Sequence, residues 1–149
     1  MLNIRTLKSC KQTAAEMERL TKNYWSDLGR WLDCPFYEFY VFVCRLPYVS
    51  DPSLIEFVSR PKFTLDPKFA PRDCDDKAVL LACWCHGRGI PCRFMASSTK
   101  PNRQLHHTFI QEGLNGTFLD GTYRKNEDFI GNYPYFSKLT RLVALTDWF

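Results

Sequence analysis

Three kinds of side chain that together make a nucleophilic centre occur in this chain, far apart along it. Cys74 lies in the run Asp73-Cys74-Asp75-Asp76-Lys77-Ala78, His106 and His107 are neighbours, and Asp120 precedes Gly121-Thr122. A thiol attacks a carbonyl as its thiolate, so it needs an imidazole within hydrogen-bond reach and a third group to orient that imidazole. The chain has only three histidines. His86 is twelve residues along the same predicted helix as Cys74, about 18 Å of rise away, which is too far for a base. His106 and His107 sit side by side in a predicted strand and point to opposite faces, so one of them at most can serve.

The elements that must position these groups are legible around them. Ala78, Leu81, Ala82 and Cys85 follow Cys74 at the period of one buried helical face. Asp73 is the expected N-cap and Gly87 the expected stop. A thiol in the first turn of such a helix meets free backbone N–H groups and the positive end of the dipole, which favour a thiolate or a developing oxyanion. Asp73, Asp75 and Asp76 oppose that, so the thiol requires a cationic partner. Downstream, Pro91 to Ser97 and Leu105 to Glu112 read as strands. Asn115-Gly116 marks a hairpin turn, and Thr117 to Tyr123 reads as a third strand. Folded across that turn, Asp120 comes level with His107.

The run Asp73-Cys74-Asp75-Asp76-Lys77-Ala78 followed by Gly89-Ile90-Pro91-Cys92-Arg93 resembles the transglutaminase-like (transglutaminase-core) cysteine enzymes, in particular their compact bacterial and phage-encoded members. Those carry the nucleophile in a Gly-Asp-Cys-Asp-Asp-like box, then Gly-Ile-Pro-x-Arg, His-x-aromatic and Asp-x-Thr boxes. Here His107-Thr108-Phe109 and Asp120-Gly121-Thr122 stand in that order. Tyr48 to Pro52, Glu56, Pro61 and Leu65 resemble the lead-in, so the likeness runs from about Tyr40 to Tyr123. Arg72 stands where the first box usually has glycine, and Phe109 where tryptophan is commoner. The resemblance implies Cys74 as nucleophile, His107 as base and Asp120 as its orienting acid. It also implies a papain/transglutaminase-core-like α+β fold. The implied activity is acyl transfer or hydrolysis on protein or peptide amides through an acyl-thioester, of transglutaminase, deamidase or protease type. Such chemistry needs no cofactor and no metal. The alternative function is a non-catalytic protein-binding module of the same fold, of the kind found as a phage accessory or assembly component.

Bulk properties narrow the classes. The 149 residues include 12 Phe, 7 Tyr and 4 Trp, enough for a core without disulfide staples. The net charge of +4 is spread among acids rather than clustered, which argues against a nucleic-acid partner. Seven cysteines, several in apolar helical runs, fit a reducing cytosol. The first residues lack the apolar core of a signal peptide, and the longest apolar run, Phe39 to Cys44, is too short for a bilayer, so a cytoplasmic protein with no membrane partner is expected. Cys83, Cys85, His86 and Cys92 suggest zinc, but Cys83 and Cys85 lie about 200° apart on a helix and cannot share a tetrahedral ion.

A single domain over residues 1–149 is expected. Residues 1–33 form a helical lead-in, with one helix from Lys11 to about Leu32. Residues 34–73 form a cleft wall, with a buried helix over Phe36 to Leu46 and a short one over Ser53 to Ser59. Residues 74–149 hold the central helix, the antiparallel sheet, an aromatic cluster at Tyr133, Tyr135 and Phe136, and a last apolar segment over Leu139 to Leu145.

Overall fold

The computed structural model describes residues 10–51, 58–69 and 72–149, and its architecture is α+β with a four-stranded antiparallel sheet. Helix α1 (Cys10–Tyr24) buries Met17 and Leu20 completely. The expected single helix to Leu32 does not form. A 3-10 segment, Trp25–Asp33, follows α1, and within it Gly29 adopts φ 55° and ψ −124°. A right-handed helix cannot pass through that conformation, and glycine accepts it without a Cβ penalty. The bend brings Asp27 to Arg60, whose Nε donates to Oδ2 at 2.7 Å, so the helical lead-in is tied to the arm before Cys74.

Helix α2 (Phe36–Arg45) starts after Pro35 and buries Phe39, Tyr40, Val43 and Cys44. The short helix expected over Ser53 to Ser59 falls mostly outside the described residues, and Val58 and Ser59 are not helical. A single turn, α3 (Pro61–Thr64), forms instead, with proline at its start where a missing N–H costs nothing.

Helix α4 (Cys74–Gly87) is the centre of the molecule. Every residue from Asp75 to Cys85 is buried, so its apolar character runs all round rather than along the one face read from Cys74. It lies between α1, the 3-10 segment and α3 on some sides and β2 on another. Gly87 is the last helical residue, and it must be small because a Cβ there would sit 2.7 Å from Leu32 Cδ2. The left-handed residue that turns the chain is Gly89, at φ 72°.

The sheet has the order β3-β2-β1-β4, from β1 (Cys92–Ser98), β2 (His107–Glu112), β3 (Phe118–Leu119) and β4 (Arg141–Ala144). Ser97 pairs with His107 and Met95 with Phe109, while β4 adds to the other edge of β1. The hairpin between β2 and β3 is fastened by Glu112, whose carboxylate accepts the N–H groups of Leu114, Asn115 and Thr117. Strand β3 is shorter than the expected Thr117 to Tyr123. Beyond Leu119 the backbone turns inward and side chains replace the ladder: Asp120 N–H donates to the Tyr133 hydroxyl at 2.8 Å, and Asn126 Nδ2 donates to Asp120 C=O at 3.1 Å. Gly121 permits this descent, because a Cβ there would meet Val43 Cγ1 at 2.7 Å.

Candidate active site

Cys74 is the first residue of α4, and Asp73 before it forms a capping box: its carboxylate accepts the N–H groups of Asp75 and Asp76, while the Asp76 side chain accepts the Asp73 N–H. The thiol therefore emerges at the N-terminus of the buried central helix. Cys74 as a residue is partly buried, and its sulfur sits deep. Burial is the largest influence pushing the thiol pKa well up, and the charges of Asp75, Asp73 and Asp120 add to it. One group acts the other way, the backbone N–H of Thr108, which favours the thiolate. Thr108 is the residue after His107, so this amide brings β2 against the helix end.

His107 opens β2. Its Nε2 lies 2.6 Å from Asp120 Oδ2, and the Asp120 side chain has no exposed surface. Burial, the largest single influence, would raise the Asp120 carboxyl, but the hydrogen bond and charge of His107 together with the hydrogen bonds of Thr122 and Tyr135 outweigh it and hold the carboxyl below the usual carboxylate range. An ionised Asp120 accepts, so Nε2 carries the proton and Nδ1 is the nitrogen left for a partner. Tyr123 lies parallel to the imidazole (centroids 6.2 Å, interplanar angle 9°), and Tyr135 meets it edge-on at 5.4 Å. Both tyrosines are also within electrostatic reach of the Cys74 sulfur, so they border the N-terminus of α4 as well as the His107–Asp120 pair. Tyr48, stacked on Tyr123 at 5.8 Å, is itself exposed.

The other histidines are elsewhere. His106 is exposed and its Nε2 accepts the Thr99 N–H at 3.0 Å. His86 is at the far end of α4, against Trp25 and Phe149. Cys44, Cys83, Cys85 and Cys92 are buried, and burial raises all four thiols.

Arg72, the departure from the usual glycine, has a definite place. Its backbone pairs both ways with Val49 at 2.8 Å. Its guanidinium turns inward and donates to the carbonyls of Thr64, Asp66, Phe69 and Pro47. The side chain thus gathers the arm between α2 and α4 instead of entering the site.

Among the described residues, one group has the donor set of a metal site: carboxylate oxygens of Asp51, Asp73 and Asp76 lie within 4.8 Å of one another. Both Asp76 oxygens already accept backbone N–H groups, from Ser59 at 2.9 Å and Asp73 at 3.1 Å, and Asp73 caps α4. Asp73 and Asp76 thus build the cap, and Asp76 docks the arm through Ser59. A groove of about 700 Å³ between α1 and the C-terminal residues, lined by Lys11, Lys22, Arg93 and Trp148, contains none of Cys74, His107 and Asp120.

Sequence reading did not reach the tyrosines. Tyr135 Oη donates to Asp120 Oδ2 at 2.7 Å, and the Tyr133 hydroxyl joins the Asp120 backbone to Tyr40 at 2.8 Å. The cluster at 133–136 was visible as an aromatic run, but no spacing rule relates it to Asp120. No helix among the described residues is long and apolar enough to cross a membrane. Comparisons with protein-family models, with curated proteins and with solved structures each return no match.

Proposed function

We propose that this chain is a cysteine-dependent acyltransferase or hydrolase of the transglutaminase, deamidase or protease type, built on a papain/transglutaminase-core-like fold, with protein or peptide amides as substrates. The observation that carries the proposal is the 2.6 Å contact of His107 with buried Asp120, beside a cysteine at the first turn of the central helix. A sterically fixed, ionised carboxylate on one imidazole nitrogen makes the other nitrogen a better base.

The resting thiol is protonated, because burial and three neighbouring carboxylates oppose the anion. As the sulfur attacks the amide carbon, the thiol proton passes to His107 Nδ1 and the carbonyl π pair moves onto oxygen. That oxyanion lies near the N-terminal amides of α4. Collapse of the tetrahedral species breaks the C–N bond, and the imidazolium gives its proton to the departing amine. The remaining thioester is then attacked by water or by a primary amine, which loses a proton to His107; the C–S bond breaks, the acid or new amide leaves, and the imidazolium returns its proton to the Cys74 sulfur. Asp120 stays ionised throughout and stabilises the imidazolium.

Intact-mass measurement after incubation with a glutamine-containing protein and a primary amine tests the proposal. Gain of amine with loss of ammonia identifies transfer, replacement of ammonia by water identifies deamidation, and a shortened chain identifies proteolysis. No covalent change in any substrate would leave the second reading, a protein-binding module of the same fold. The observation favouring that reading is the strongly raised Cys74 pKa.

A further inference from the structure

The carboxylate that holds His107 has a second donor on the same oxygen. Asp120 Oδ2 accepts from His107 Nε2 at 2.6 Å and from Tyr135 Oη at 2.7 Å, while Oδ1 accepts the Thr122 N–H at 3.0 Å. Tyr135 lies in a 3-10 turn, Pro134–Lys138, after β3 and outside every box of the nucleophile pattern. Its ring also meets the His107 ring at 87°, so it contacts both members of the pair. Neighbouring Tyr133 stacks on it at 5.9 Å with an angle of 16° and fixes the Asp120 backbone.

We propose that Tyr135 is a positioning residue for His107 acting through Asp120: its hydroxyl takes up part of the charge on the oxygen that the imidazole uses, and so sets how firmly His107 holds a proton. A carboxylate oxygen with two donors presents less charge to either, so the tyrosine keeps the imidazole a weaker base than a lone aspartate would. That matches the chemistry required of His107, which must both take the thiol proton and release it to an amine. This last link rests on the function proposed above; the hydrogen-bond arrangement itself does not.

Other ionisable groups face this pair from every side. From α4, the Cys74 thiol and the Lys77 ammonium bear on Asp120. From α2, Cys44 bears on Asp120, and the Tyr40 hydroxyl lies 3.0 Å from its carbonyl. Tyr123 stacks on His107, and His106 adjoins it in the chain. Among these only Tyr135 donates to the oxygen that His107 shares, so a variant at 135 isolates the effect.

The test is a histidine-resolved NMR pH titration of the full chain, which reads His107 without requiring turnover. In Tyr135→Phe the His107 pKa should rise by about half a unit to one unit, because Asp120 loses a donor and the imidazolium gains the released charge. 3-Fluorotyrosine at 135 keeps the shape and strengthens the donor. It should move His107 the opposite way, and it gives the answer if the phenylalanine variant does not fold. An unchanged His107 in either folded variant, or a fall in Tyr135→Phe, overturns the proposal. Alkylation of Cys74 in the unaltered protein separates the two ideas. Inert Cys74 with a shifting His107 defeats the enzymatic reading and upholds the role of Tyr135. Selective alkylation with an unmoved His107 does the reverse.

Discussion

Lys77 Nζ donates to the carbonyl of Thr122 at 2.7 Å from a side chain that is 1% exposed. The same ammonium donates to Leu46 C=O at 2.8 Å, and Cys44 C=O lies at 3.5 Å. One buried cation thus joins the end of α2, the central helix and the loop that begins at Asp120. Burial lowers its pKa to about 8, so it remains mostly charged at neutral pH. Lys77→Met leaves those carbonyls without their donor while removing a desolvated charge. The hydrogen bonds outweigh the relief, and unfolding free energy at pH 7 should fall by about 2 kcal/mol. Denaturant titration of both proteins reads it, and an unchanged midpoint would mean the carbonyls find other donors.

Arg72→Gly installs the residue usual in the box that this run resembles, and the structure predicts that it is harmful here. Four carbonyls of the arm lose a buried donor. The expected loss is about 2–4 kcal/mol in stability, together with faster proteolysis between Pro47 and Arg72. A variant as stable and as protease-resistant as the parent would contradict the role assigned to this side chain.

The cap of α4 makes stability depend on pH. Burial pushes the Asp73 carboxyl up, with Asp76, Asp75 and Asp51 adding to it, and burial also raises Asp76 against the backbone N–H groups it accepts. A carboxyl that binds its proton more tightly folded than unfolded favours the fold at low pH. That advantage is lost as pH rises from about 4 through the raised value. Asp73→Asn keeps a capping oxygen but cannot ionise. Its stability relative to the parent should therefore improve by at least about 1 kcal/mol between pH 4.5 and pH 7.5. Thermal melts across that range would refute the account if the difference stayed flat or changed sign.

Asp120→Asn removes the charge opposite His107 while keeping the shape. It should slow Cys74 alkylation by about a hundredfold or more, whereas His106→Ala should leave it unchanged. Peptide mass mapping of the alkylated protein gives the rates. Equal effects of the two substitutions would show that the imidazole was assigned to the wrong residue.

How far the sequence reached follows from what carries a local signal. The α4 cap, the strand order around Asn115-Gly116 and the approach of Asp120 to His107 rest on short-range chemistry, and all are present in the structure. The break at Gly29 was not read, because Leu28 and Trp31 continue an apolar helical period straight across it. Nor was the full burial of α4, since periodicity reports one face and only tertiary packing covers the others. The tyrosine partners of Asp120 arrive from residues 133–135 by the path of the chain, which no local pattern encodes.

The central claim is that Cys74 owes its reactivity to His107, because burial and the charges of Asp75, Asp73 and Asp120 oppose a thiolate more than the Thr108 amide favours it. The direct measurement is the rate of iodoacetamide alkylation of each cysteine at about pH 7, with partly exposed Cys34 as the internal reference. The account predicts that Cys74 reacts at least about tenfold faster than Cys34 and that His107→Ala abolishes the advantage. A Cys74 as unreactive as buried Cys44, or one whose fast labelling survives in His107→Ala, would contradict it.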